Sequence, residues 1–212
     1  SRADIPEVIR AFDRGFGTDT YSLKSLFRDE QRNMLSRILV SSLDEAETVY
    51  RQLYEHHAPL MRFLRDLGTP LPKAFQTTAE YALNSHLRRT LAADEPNVAR
   101  VRSLLDEAQQ GGVSLDATTL EFTVRKTLEK LAERLREDPV GIDELRHLQQ
   151  VMEVTASLPF PVTLWSVQNI CYDLMQEFYP AMADRARNGD EEAALWTKDF
   201  RDLIARLSLK IE

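Results

Sequence analysis

Cysteine is almost absent from this 212-residue chain: Cys171 stands alone, so no intramolecular disulfide can form. It sits in an apolar run, which predicts a small buried hydrophobe in a reducing compartment rather than a nucleophile. Thiol activation needs an electropositive, partly open setting, and no histidine is close in sequence. Histidine is also scarce, with four copies at His56, His57, His86 and His147. Glu144 and His147 have the Glu-x-x-His spacing of carboxylate-bridged metal bundles. Such a site takes two of these motifs and two further inward-facing glutamates, and the sequence holds one motif only. Glycine-rich phosphate loops are missing too. No metal and no cofactor is expected. Nothing approaches the ~20 apolar residues of a membrane span, and no signal peptide is visible. The expected setting is cytoplasmic, without a membrane partner. The charge balance is acidic, 34 Asp and Glu against 27 Lys and Arg for a net −7. A surface of that sign repels phosphate backbones, so no nucleic-acid partner is expected. Arg88-Arg89 and Arg125-Lys126 are isolated basic pairs that read as solvated helix faces.

Alternation of apolar and polar residues at every second position is nearly absent as well, which argues against a sheet. Apolar residues instead recur every three or four positions. From Glu30 to Leu53, the residues Leu35, Ile38, Leu39, Ala46, Val49, Tyr50 and Leu53 share one side of a helix. The chain therefore reads as all-α, a single domain over 1–212, arranged as a multi-helix bundle or array of about eight to ten helices with short loops. Asp4 caps a short first helix, and Tyr21 to Phe27 forms a turn or a second one. A long helix starts near Asp29. Ser42 and Glu45 have capping-box spacing, so a break is expected near Val40. Pro59 predicts a kink or a further break, and His56-His57 just before it suit a helix end where histidines meet terminal carbonyls. Further helices follow over Lys73–Ala92 and from Val98 to the Gly111-Gly112 pair. The next is capped by Asp116 or Thr118 and carries the stripe Leu120, Val124, Leu128, Leu131 and Leu135. Asp143–Leu158 comes next. Thr163 to Arg187 reads as one helix bent by Pro180. The last, capped near Asp190, carries Trp196, Phe200, Leu203, Ile204, Leu207 and Ile211.

The helix after Thr163 is apolar on two sides. Leu164, Val167, Cys171, Leu174 and Phe178 share one face, and Trp165, Gln168, Asn169, Tyr172 and Tyr179 the other. Trp165, Gln168, Asn169 and Tyr172 follow i, i+3, i+4, i+7, two aromatics flanking two amides. Aromatic faces beside amides suit a polar network in a core, a domain interface or a sugar-binding surface. These four residues are the candidate interface or ligand contacts. No catalytic residue is identified, because no nucleophile has a recognisable base and no paired carboxylates stand out.

Three segments resemble one family: Leu26–Leu39 (LFRDEQRNMLSRIL), Tyr50–Gly68 (YRQLYEHHAPLMRFLRDLG) and Leu158–Asn169 (LPFPVTLWSVQN). They are similar to the helical C-terminal domain, of unknown function, in large prokaryotic proteins whose N-terminal part resembles glycoside hydrolase family 57. The resemblance runs from about Phe16 to Leu207. It implies that the carboxylate nucleophile and acid lie in an N-terminal barrel that this chain lacks, and no catalytic residue is carried over. The implied role is a non-catalytic accessory domain whose partner is the N-terminal catalytic domain of the same protein, with an α-glucan cleft alongside. The start at Ser1-Arg2-Ala3-Asp4, without Met, fits a piece of a longer protein. The alternative is a helical protein-protein interaction module unrelated to carbohydrate. A free-standing all-α enzyme is the weakest option.

Overall fold

The computed structural model describes residues 28–209, and among them the chain is eight α-helices with no strand. The expected helix at Asp4, the Tyr21–Phe27 turn and Ile211 lie outside the described residues. In order, the helices are α1 (Arg28–Asp66), α2 (Lys73–Leu91), α3 (Val98–Gly111), α4 (Ala117–Glu137), α5 (Ile142–Thr155), α6 (Trp165–Glu177), α7 (Tyr179–Arg187) and α8 (Glu191–Arg206). The chain divides into two compact units, Ser1–His56 and His57–Glu212.

Of the first unit, the described part is the helical stretch 28–56. Its residues Leu35, Leu39, Val40, Leu43, Val49 and Leu53 are exposed. The break expected near Val40 does not occur, and neither does a break at Pro59, since the helix runs for 39 residues without interruption. Ser42 and Glu45 carry cap chemistry, but no glycine or proline near Val40 forces the backbone out of helix, and both residue types also fit an exposed helix face. Pro59 removes one donor and keeps the helical φ. Ending the helix there would strip whole sets of terminal donors and acceptors of their partners, a larger loss than one bond. His56 and His57 therefore lie mid-helix, not at an end.

Within the second unit, the His57 ring lies 5.0 Å from that of Phe75 on α2. The α1 helix closes on Gly68, whose φ of +66° only glycine adopts without strain. The Gly68 N–H donates to Arg65 O at 2.7 Å and the Thr69 N–H to Leu64 O at 2.9 Å, satisfying carbonyls the helix leaves open. Asn97 caps α3 by accepting from the Arg100 N–H at 2.9 Å. Of the two candidate caps for α4, Asp116 is used, accepting from the Thr119 N–H at 3.1 Å.

The predicted stripe of α4, Leu120 to Leu135, is fully buried. That helix packs against α2, α5 and α6, and α5 in turn packs against α3 and α8. Charged side chains reinforce the second set: Glu153 on α5 accepts from Arg102 on α3 at 2.9 Å and from Arg206 on α8 at 2.8 Å. The α5 helix ends at Thr155, three residues before the expected Leu158. Pro159 disfavours helical geometry in the residue before it, and the Ser157 and Leu158 N–H groups turn back to Val154 O and Thr155 O instead.

The helix expected over Thr163–Arg187 is two helices. Phe178 leaves the helical path at φ −111°, ψ −39°, and Pro180 enters the first turn of α7, where its missing N–H costs nothing. Proline here starts a helix rather than bending one. The break also moves Tyr179 from the α6 outer face into the core, where it is 7% exposed and accepts a hydrogen bond from Arg201 Nε.

Candidate functional site

One side of α6 is bound to the core through Val167, Ile170, Cys171, Leu174 and Met175, all buried. Two polar bonds fix where this helix begins and how it is rotated. The Thr163 N–H donates to Glu121 Oε1 on α4 at 3.2 Å, and Gln168 Nε2 donates to Leu207 O at the end of α8 at 3.0 Å. With the core side held, the opposite side turns outward. Trp165 is 70% exposed and Tyr172 49%, with Asn169 exposed between them. Seven residues of helix separate the two rings by about 10 Å along the axis.

The four candidate residues thus divide. Trp165, Asn169 and Tyr172 form an open strip, while half-buried Gln168 spends its amide on the fold. A place in the core, one of the readings open for Trp165 and Tyr172, is excluded by their exposure. The tryptophan that does fill the core is Trp196, 1% exposed.

No reactive centre accompanies the strip. Burial pushes the Cys171 thiol from an ordinary 9.0 up to about 12, so it stays protonated and inert at neutral pH. Among the described residues, no three His, Cys, Asp or Glu side chains converge where they could hold a metal ion. Glu144 and His147 are both half-buried on α5, and Glu144 Oε2 has no hydrogen-bond partner. Arg125 and Lys126 pair with Glu121 and Glu129 on their own helix, as solvated faces do. Among the described residues no helix is long and apolar enough to cross a membrane.

The periodicity gave no sign of a cleft of about 650 Å³ between α3 and the connector after α5. Arg102, Asp106 and Gln109 supply its polar wall, and Ser157, Pro159 and Phe160 face them. A signal was available in the sequence: 102, 106 and 109 are spaced i, i+4, i+7, and the proline-spaced segment Leu158–Pro161 is stiff. Neither becomes a site until the loop 112–116 folds beside them. The strip and the cleft are two surfaces of the second unit with recognition chemistry.

No protein-family model matches this chain, and neither a curated protein nor a solved structure matches it.

Proposed function

We propose that this chain is a non-catalytic accessory domain that docks onto a carbohydrate-active catalytic domain through the Trp165–Tyr172 strip of α6. One observation carries this reading: a helix locked to its core by one face presents a tryptophan and a tyrosine on the other. An exposed side chain of that size leaves on the order of 2–3 kcal/mol of apolar burial unrealised. Tryptophan and tyrosine are the residue types that dominate binding hot spots. The resemblance of Leu158–Asn169 and its companion segments to the C-terminal region of family 57-like proteins supports the choice of partner, a catalytic barrel acting on α-glucan. The absence of an acid and nucleophile pair on α6 fits a domain that positions rather than reacts.

The test is acrylamide quenching of Trp165 in this chain and in the protein made from the whole open reading frame that contains it. Docking shields Trp165 in the longer protein, and Trp165→Ala with Tyr172→Ala lowers its stability or glucan turnover. Equal quenching in the two proteins overturns the proposal. So does reproducible glucan hydrolysis by this chain alone.

The exposed apolar residues of α1, among them Leu39, Val40 and Leu43, favour a second reading, a protein-interaction module without a carbohydrate connection. A reading frame that encodes no barrel selects it.

A further inference from the structure

The cleft beside α3 has the size, stiffness and mixed lining of a small-molecule site. Its volume of about 650 Å³ lies within the roughly 300–1,000 Å³ typical of ligand pockets. Leu105 and Ala108 are buried at its base, and Val113 and Leu115 extend that apolar surface. Phe160 is half-buried at the opposite wall, and its ring stacks on no other ring among the described residues.

The walls are held in place before any ligand arrives. Asn84 on α2 donates through Nδ2 to Ser114 O at 2.9 Å and accepts from the Asp116 N–H at 2.7 Å, pinning the loop at the mouth. Pro159 and Pro161 restrict the backbone on either side of Phe160. Arg102 is oriented by Glu153, which accepts from one of its terminal nitrogens.

The unspent hydrogen-bonding groups decide what fits. Among the described residues, the Asp106 carboxylate, the Gln109 amide and the Ser157 hydroxyl have no protein partner. An apolar ligand would cover Asp106 and Gln109 without replacing their water, which is costly. An anion would meet the Asp106 carboxylate on the same helix face, and Arg102 is already engaged by Glu153, which it shares with Arg206. A lone carboxylate is also too little for a metal ion. A ring carrying hydroxyl groups meets every requirement. Its C–H face rests on Phe160 and Pro159, while neighbouring hydroxyls bridge the planar carboxylate and amide, one accepting and the other both donating and accepting.

We infer that this cleft binds a neutral sugar ring, gripped between Phe160 and the Asp106–Gln109 edge of α3. The inference is independent of the docking role of α6, whose strip shares no residue with the cleft.

The test is a titration of the whole chain with glucose, maltose and cellobiose, followed by backbone amide NMR shifts. The expected result is saturable shifts in residues 102–115 and 157–160 with at least one of these sugars. Asp106→Ala and Phe160→Ala then each weaken binding by about tenfold or more, the loss of one charge-assisted bond or one stacking face, while Trp165→Ala leaves it unchanged. Asp106 is exposed, so its variant stays folded and decides the matter if Phe160→Ala does not fold. Absence of saturable shifts in these segments with all three sugars overturns the inference. So does binding that survives both cleft variants, or binding lost in Trp165→Ala alone.

Discussion

Trp196 lies flat against Phe200, ring centroids 4.7 Å apart and planes 10° from parallel, while Phe178 meets the indole edge-on at 5.4 Å and 75°. The indole N–H is buried inside this cluster and has no acceptor. The site holds tryptophan for its area, not for its polar tip. Trp196→Ala should therefore cost about 3–5 kcal/mol in urea unfolding, the usual loss for emptying an aromatic site. Trp196→Phe should cost much less, because it removes a donor that burial leaves unpaired along with the lost area. Equal losses for the two variants would show that the N–H has a partner.

Trp165 should behave in the opposite way. At 70% exposure it has little to lose, so Trp165→Ala should change the stability of this chain by no more than about 0.5 kcal/mol. Fluorescence gives a second reading of the same contrast. Trp165 should emit at long wavelength and be quenched by acrylamide, leaving the shorter-wavelength emission of Trp196 in the variant.

Cys171 ties stability to alkaline pH. Burial raises its thiol from 9.0 to about 12 in the folded chain. The unfolded chain thus loses its proton first, and between these values it binds fewer protons than the folded one. The thiol's contribution is whole below pH 9 and is lost as pH rises toward 12. Thermal melts should fall more steeply over that window in the parent than in Cys171→Ala. Native protein should also resist iodoacetamide until it is unfolded. Rapid alkylation at neutral pH would contradict the burial.

Two helix caps contribute to the acid side of the curve. The hydroxyl and backbone N–H of Thr119 hold the Asp116 carboxyl below its ordinary 3.8, and the Ala193 N–H with Arg185 does the same for Asp190. Each is a lowered acid, so its support is present above 3.8 and is lost as pH drops through the folded value. Asp116→Ala and Asp190→Ala should flatten the acid limb of a stability profile. Asn97→Ala removes a cap that does not titrate, and should cost about 1 kcal/mol with the slope intact. An unchanged acid limb in both aspartate variants would dismiss these caps as contributors to it.

In the second unit periodicity announced the helices because buried faces demand it, whereas the α1 stripe that shows the same period is largely exposed. The stripe from Leu120 to Leu135 and that from Trp196 to Leu207 both lie in the core. Cap residues marked two of the starts, Asp116 and Asp190. Proline acted in two different senses. Pro59 sits inside an unbroken helix, and Pro180 begins a new one. The ring constrains φ and removes a donor, but what the chain does in response depends on the neighbours it packs against. The α6 strip was legible in part, since spacing placed Trp165 and Tyr172 on one side. Whether that side met core or water depended on α4 and α8, which local sequence does not encode. The cleft was hidden for the same reason, because Asp106 and Phe160 are brought together only by tertiary packing.

The α5 helix is covered on one flank by α3 and α4, which lie close to it in sequence, and on the other by α8. A ribosome releases these pieces in order. Until α8 has left the exit tunnel, α5 waits with part of its cover unsynthesised, and Glu153 has met only the first of its two arginines. This flank of α5 closes only with α8, and a nascent chain stopped before Glu191 should bind hydrophobic dyes and chaperones where a chain that includes α8 does not.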